Sequence, residues 1–405
     1  MTAIAYAPRK IWLLGLGFFS ISITWALYNA YVPLYLEHFI KNVGLIGFMM
    51  TIDNYFAMFL QPWIGRKSDR TRTKFGKRMP FLLIGMPLAA VFGALIPWHN
   101  GIVTLILFMV LMNLSMSLYR SPTVALMPDL TPPGKRTQAN GIINFMGGVG
   151  SILAFAGGAY LNDWHTSLPF LTSSVLTLLC LTVLFFVIRE PHAASFVLER
   201  KAEAQPGDYR KEWNKPTLFL LGAIFFWFFS YQGVEALFTL YGTNRLGMTD
   251  SAAAFSLAFF SLSFVIAAIP CGMLGNRFGK KKIILLGIIG LIVVFSLVSL
   301  IESVLLLRIM LLIGGVFWAC ININSYPFIV QLGEESSIGT RTGIYYIASS
   351  IAAISSPPLM GVIIDWMGYA MLFYIAAAGM VIALLFLLGV RDQGKSLPVQ
   401  PPVTM

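Results

Sequence analysis

Twelve stretches of this chain are dominated by apolar residues and run close to the twenty or so residues that one helix needs to cross a bilayer. They fall at about 10–33, 43–65, 79–97, 102–124, 139–161, 168–188, 217–238, 250–272, 281–301, 303–327, 341–363 and 370–390. Lipid offers no partner to backbone N–H and C=O groups, so a spanning segment is either a helix or a strand of a closed barrel. Barrel strands alternate polar and apolar positions over about ten residues, and these stretches do not. The expected fold is an all-α membrane protein of twelve transmembrane helices. Composition agrees, since only 11% of residues are charged and 57% are hydrophobic, against roughly 25% charged in a soluble domain. The first stretch has no small-residue cleavage site and is long enough to span, so it is expected to remain as a helix.

The net charge of +11 invites a nucleic-acid reading, which its distribution excludes. Lys41 and Arg245 fall in one set of alternating loops, and Arg120 and Arg308 fall within apolar stretches. Every other Lys and Arg lies in the opposite set of loops or near a terminus. Basic residues gather on the cytoplasmic side of membrane proteins, so both termini are expected in the cytoplasm, with the protein in the cell's inner membrane. The three cysteines, Cys180, Cys271 and Cys320, lie in apolar stretches and support neither a disulfide framework nor a metal site.

The longest polar stretch, 189–215, carries mixed charge together with Pro206 and Gly207. It divides the chain into a bundle at 1–188, a cytoplasmic linker at 189–215 that reads as a solvated tether, and a bundle with a short tail at 216–405. An internal repeat supports the division. Gly65-Arg66-Lys67-Ser68-Asp69-Arg70 is followed, after the insertion Thr71–Lys74, by Phe75-Gly76-Lys77-Arg78. About half the chain later, Gly272-Met273-Leu274-Gly275-Asn276-Arg277 runs directly into Phe278-Gly279-Lys280-Lys281. Two halves related by an axis along the membrane normal leave such a trace.

The glycines allow a tight turn between spans, and Gly65 allows close helix approach. Asp69 can accept bonds from arginines or from the N-terminus of a neighbouring helix, where the dipole favours an anion. Two readings stay open: a latch between halves, or a static topology determinant. Asn276 has lost the anion in the second copy. A phosphate cradle needs G-x-x-x-x-G-K-[S/T] after a strand. Gly76-Lys77 and Gly279-Lys280 lack that spacing and the following hydroxyl, so drive by ATP is unsupported and no enzymatic activity is expected.

Gln61-Pro62-Trp63-Ile64-Gly65, Ser68-Asp69-Arg70 and Gly76-Lys77-Arg78-Met79-Pro80-Phe81 resemble the sucrose/proton symporter branch of the major facilitator superfamily, which is related to the glycoside–pentoside–hexuronide:cation symporters. Ser121-Pro122-Thr123-Val124-Ala125-Leu126-Met127-Pro128-Asp129-Leu130-Thr131, with Arg136-Thr137 and Ala139-Asn140, extends the match. The second half adds the loop repeat and Arg341-Thr342-Gly343. The resemblance implies two pseudo-symmetric six-helix bundles, and it favours the latch, with Gly65, Asp69, Arg70, Gly76, Lys77, Arg78, Gly272, Arg277 and Gly279 as gating-loop residues. Sucrose-type members carry an arginine where this chain has Val124. Arg120 lies four residues earlier, on the same helix face. In the melibiose-type branch a cation-binding carboxylate precedes the proline of the second span, and here that residue is Gln61, which favours protons over sodium.

Charges within hydrocarbon cost about 2.5–3.5 kcal/mol each and mark pathways or relays. The candidates are Asp53, Arg120, Glu235 and Arg308. Asp53, near the midplane, suits a group that loads and unloads a proton, unless it is permanently bonded within its own half. Glu235 and Arg308 lie at comparable depth, in the outer third of spans seven and ten, which line the central path in the superfamily fold. An ion pair that substrate or proton binding competes for is one reading; a fixed structural pair, or a Glu235 that reaches extracellular water, is the other. Arg120 lies about 12 Å in depth from Asp53, which makes Asp69 or Asp129 the better partners. Sugars bind aromatic faces and directional donors and acceptors. The lining candidates are Trp25, Tyr28, Asn29, Asn144, Trp227, Tyr231, Gln232, Trp318, Asn322, Asn324, Tyr345 and Tyr346, each of which has packing or an interfacial belt as its alternative.

The sequence is thus expected to encode a monomeric symporter of a sugar or glycoside that needs no cofactor or metal and is coupled to protons. The alternative is a proton/drug antiporter. A non-transporting receptor gives no reason for four intramembrane charges.

Overall fold

In the computed structural model, residues 8–132, 135–188, 215–331 and 338–390 are described. The expected linker lies outside them, apart from Lys215. The first half comprises α1 (Pro8–Glu37), α2 (Val43–Met50), α3 (Ile52–Arg70), α4 (Met79–Leu95), α5 (Ile102–Leu130), α6 (Arg136–Ile152), α7 (Gly158–Trp164) and α8 (Leu168–Val187). The second comprises α9 (Lys215–Leu246), α10 (Asp250–Phe278), α11 (Lys280–Val298), α12 (Val304–Gln331), α13 (Ile338–Met367) and α14 (Met371–Gly389). Twelve spans result, because α2 with α3, and α6 with α7, each make one.

Several spans exceed their apolar stretches. The fourth runs on to Leu130, through Pro122 and Pro128. Its 29 residues measure about 44 Å at 1.5 Å per residue, close to a bilayer with its headgroups. Hydropathy reports only the hydrocarbon portion of such a helix, while the backbone hydrogen bonds carry it into the polar layer.

Two spans are interrupted. The second breaks at Thr51, whose amide and hydroxyl both donate to the Phe48 carbonyl, at 3.1 and 2.7 Å. A side chain that competes for its own helix's carbonyl favours such a break, and it places Asp53 in the first turn of α3. The fifth span widens into a π turn at Leu153–Gly157, a device frequent at functional sites.

The repeated loop is a repeat in conformation as well as in sequence. Gly76 has φ 107° and Gly279 has φ 96°, values that L side chains avoid. The insertion in the first copy closes a turn through a bridge between Thr73 and Gly76. Gly65 does admit a close neighbour, since a Cβ there would lie 2.9 Å from Ser121 Oγ.

The two loops share one end of the molecule, the basic end. At the opposite, far end the halves are tied together. α2 packs along α13, whereas α3 touches α13 at few points, and α7 packs on α10. Hydrogen bonds cross between halves at the far end: Val43 and Gly44 to Asp365, Asn244 and Tyr369 to Glu37, and Asn162 to Ser251.

Candidate functional site

Between the halves, charged side chains converge from both bundles. Asp53 enters from α3 and lies within electrostatic range of Arg120 on α5 and of Glu235 on α9. Asn54 donates to Asp53 Oδ1 at 3.0 Å. The Arg120 guanidinium sits 5.9 Å from the Trp25 ring centroid, and Tyr346 of α13 also lies in its field. Glu235 is within hydrogen-bonding reach of Tyr231 on its own helix and of Asn29 on α1. Tyr28 completes the wall, its hydroxyl accepting from Asn113 Nδ2 at 3.2 Å.

Arg120 therefore differs from expectation. Its carboxylate neighbour is Asp53, not Asp69 or Asp129, because both of those are occupied elsewhere and the long arginine stem bridges the difference in depth. Arg308 departs further. Its Nε donates to Ser256 Oγ at 3.2 Å and its guanidinium lies over Phe255 and Phe259, at 5.1 and 5.7 Å. No Arg308–Glu235 ion pair forms among the described residues. Equal depth placed them together, but Arg308 turns toward α10 while Glu235 faces the other half.

The aromatic candidates divide. Tyr231 stacks flat on Trp318, at 4.1 Å and 6°, directly beside Glu235. Trp25 and Tyr28 meet edge to face at 5.7 Å. Trp227 is instead fully buried in the core of the second half. Tyr345 is buried with its hydroxyl 3.0 Å from Ser325 Oγ. Asn324 is not at the path: its amide donates to the Cys271 and Cys320 carbonyls, at 3.1 and 3.0 Å, between α10 and α12. Gln232 and Asn322 are partly exposed. Asn144 is exposed on α6, bonded to the Asn140 carbonyl at 2.8 Å.

Asn113 is the residue that the sequence reading missed. It is fully buried, and among the described residues neither its Oδ1 nor Trp25 Nε1 has a hydrogen-bond partner. Buried polar groups are normally satisfied, and these two unpartnered atoms lie near the charged cluster, Asn113 through Tyr28 and Trp25 against Arg120. A polar residue amid the apolar run Leu111–Leu114 was the available signal.

A cavity opens from Glu235 into the second half. Phe238, Leu257, Phe260, Phe295, Met310 and Phe373 contribute to its walls. Glu235 is its one charged lining residue, and the remainder suits an apolar body.

The basic-end loop forms a cluster of its own. Arg78, 1% exposed, binds Asp69 and Ser68, and its Nε donates to Asp129 Oδ2 at 3.0 Å. Lys77 meets the same Asp129 oxygen at 3.0 Å. Asp69 is thus held within its own half here, so the expected latch across halves is not engaged in this arrangement. Arg70 is exposed at the end of α3. In the second copy Arg277 lies 5.2 Å from the Phe278 ring, and no carboxylate pairs with it among the described residues.

The sequence model of the Major Facilitator Superfamily matches residues 14–264 and 243–403. This chain belongs to that superfamily. Its members' twelve-helix architecture recurs in solved structures at low identity. The inward-facing, occupied bacterial homologue of the human lysosomal transporter Spinster superposes with a TM-score of 0.69 at 16% identity, covering 96% of this chain and 95% of that one. The nucleoside transporter NupG gives 0.74 at 13%, covering 94% and 100%. Among curated relatives, the Arabidopsis thaliana sucrose transport protein SUC3 is 25% identical over 183 residues, 40% of this chain and 31% of the relative. The sucrose transport protein SUT1 of Oryza sativa subsp. japonica is 27% identical over 193 residues, 42% and 36%. The chain thus spans about a third of the length of these relatives. The class B tetracycline resistance protein of Escherichia coli is 23% identical over 379 residues, 90% and 92%. The chain is therefore a multi-pass member of that superfamily.

Proposed function

We propose that this transporter carries a sugar or glycoside together with a proton by alternating access across the inner membrane, with the basic end and both termini in the cytoplasm. In that orientation the arrangement described is inward-facing. The observation that carries the reading is the convergence of Asp53 and Arg120 from one half with Glu235 from the other, beside the unpartnered atoms of Asn113 and Trp25. Hydroxyl groups donate to carboxylates and to Asn113 Oδ1 and accept from Trp25 Nε1 and Arg120, while sugar C–H faces stack on aromatic rings. The apolar cavity beyond Glu235 supports a glycoside with an apolar aglycone over a bare sugar. Binding the cargo from both halves at once is what couples it to the rocking of one half on the other, and coupling of proton and substrate affinities is reciprocal.

A second reading, proton/drug antiport, draws on the same cavity, whose single carboxylate within apolar walls also suits a lipophilic cation. Purified protein in proteoliposomes separates the two. Symport acidifies the lumen when an aryl glucoside or a disaccharide is added outside, whereas antiport makes the lumen alkaline when a lipophilic cation is added. Absence of any response across a sugar panel overturns the leading reading. Asp53→Asn and Glu235→Gln are each expected to abolish gradient-driven accumulation. Full accumulation in both removes the proton assignment.

A further inference from the structure

At the far end, α2 begins against the end of α13. The first amides of a helix have no partner within it. Here Val43 N donates to Asp365 Oδ1 at 2.8 Å and Gly44 N to Asp365 Oδ2 at 3.0 Å, while Leu45 N is taken by Asn42 Oδ1 at 2.7 Å. One carboxylate from the second half thus caps a helix of the first with both oxygens, where the helix dipole favours negative charge. The backbones around this cap are nearly in contact. A Cβ on Gly47 would lie 2.3 Å from the Pro357 carbonyl oxygen, and one on Gly361 would lie 2.5 Å from that of Val43. Beside it, Glu37 Oε1 of α1 accepts from Asn244 Nδ2 of α9 at 2.8 Å and from the Tyr369 hydroxyl at 3.1 Å. Burial, reinforced by Glu37, raises the Tyr369 phenol above its ordinary pKa, which keeps it a donor.

These contacts cross between halves, and the basic-end carboxylates Asp69 and Asp129 are meanwhile paired within their own half. We propose that Asp365 is a far-end clamp, its carboxylate on the α2 N-terminus, with Glu37 as a weaker auxiliary, and that release of this clamp is the step that opens the far end. Two rigid bundles that rock about one central site cannot be apart at both ends at once. The strength of the clamp therefore biases which end is open, whatever the cargo.

The test uses full-length protein in lipid nanodiscs, with Cys180, Cys271 and Cys320 replaced by alanine, and spin-label distances measured by double electron–electron resonance. Labels at Asn100→Cys and Ser303→Cys report the far end; labels at Arg72→Cys and Lys282→Cys report the basic end. Asp365→Asn is expected to shift the population about fivefold toward a longer far-end distance and a shorter basic-end distance, the scale of a partly exposed anion at a helix N-terminus. Asp365→Lys, which reverses the charge at the dipole, is expected to shift it further, and Glu37→Gln less. Unchanged distributions in both Asp365 variants overturn the proposal. So does a longer far-end distance without a matching change at the basic end, because that describes a loosened fold and not a released clamp.

Discussion

The two ends of this transporter use carboxylates differently. At the basic end, Arg78 gathers Asp69, Asp129 and Ser68 within one half, and Arg78 itself is almost wholly buried. At the far end, Asp365 and Glu37 are met across the boundary between halves, by backbone amides, an amide side chain and a phenol. The first arrangement is an ion-pair network that makes a loop part of its bundle. The second is neutral donors on exposed or partly exposed carboxylates, each cheap to break and to solvate. An interface that must open and close repeatedly is better built from the second kind, since each re-forming of a buried ion pair carries a desolvation penalty of several kcal/mol per ion. The difference teaches that a charge cluster at one end holds the fold, while the contacts that set conformational balance lie at the other.

Substitution at each end tests that division, and the largest effect is expected at Arg78. Removing one partner of a buried network costs up to about 3–5 kcal/mol where it strands the others; the cost here lies below that, because Asp129 keeps Lys77 and Asp69 is nearly half exposed. Arg78→Ala is expected to lower the thermal midpoint in detergent markedly, whichever end is open. A midpoint unchanged within error would place the cluster outside the fold's support. Gly47→Val should do the reverse. Its added carbons collide with the Pro357 carbonyl only while the far end is closed, and overpacking of this kind costs about 1–3 kcal/mol. The collision is relieved by opening, so far-end label distances are expected to lengthen while the thermal midpoint stays near that of the parent. A lowered midpoint with unchanged distances would break the comparison.

The fold was legible because bilayer thickness imposes a length, and because a loop copied with its positive-φ glycine, Gly76 and Gly279, marks two halves. The site was legible only in part, for reasons of rotation and not of depth. Helices buried or lipid-facing all round carry no polar stripe that fixes which face looks inward. Asn322 and Asn324 show the consequence. Residues two apart point about 200° apart on a helix, so both cannot line one path, and Asn324 turns into the bundle to bond the Cys271 and Cys320 carbonyls. Arg308 was placed at the right depth and the wrong azimuth. Asp53, Arg120 and Glu235 were found because each is the lone charge in its apolar stretch, a signal that Arg308 shares and that does not fix which way the side chain turns. Asp365 was not legible at all. A single acidic residue at the end of a span is ordinary, and its partners are backbone amides, which every sequence has.

The smallest expected effect isolates backbone from space within the second copy of the loop. Around Gly279 nothing lies within 4 Å of an added Cβ, yet its φ is 96°. Gly272 lies inside α10, where φ is helical, and an added Cβ would come 3.3 Å from Ile323 Cγ2. If crowding governs these turns, Gly272→Ala is the more damaging change. If backbone conformation governs them, the order inverts. Gly279→Ala forces an L residue into a region that costs about 1–2 kcal/mol, whereas Gly272→Ala gains up to about 1 kcal/mol of helix propensity against a methyl that can give by a few tenths of an ångström. The backbone term is the larger, so the thermal midpoint is expected to fall for Gly279→Ala and to hold or rise for Gly272→Ala. Neither change touches the Arg78 cluster or the Asp365 clamp, so label distances at both ends should match the parent. A Gly272→Ala variant less stable than Gly279→Ala would show that helix approach at Ile323, and not the glycine turn, is what the repeated motif preserves.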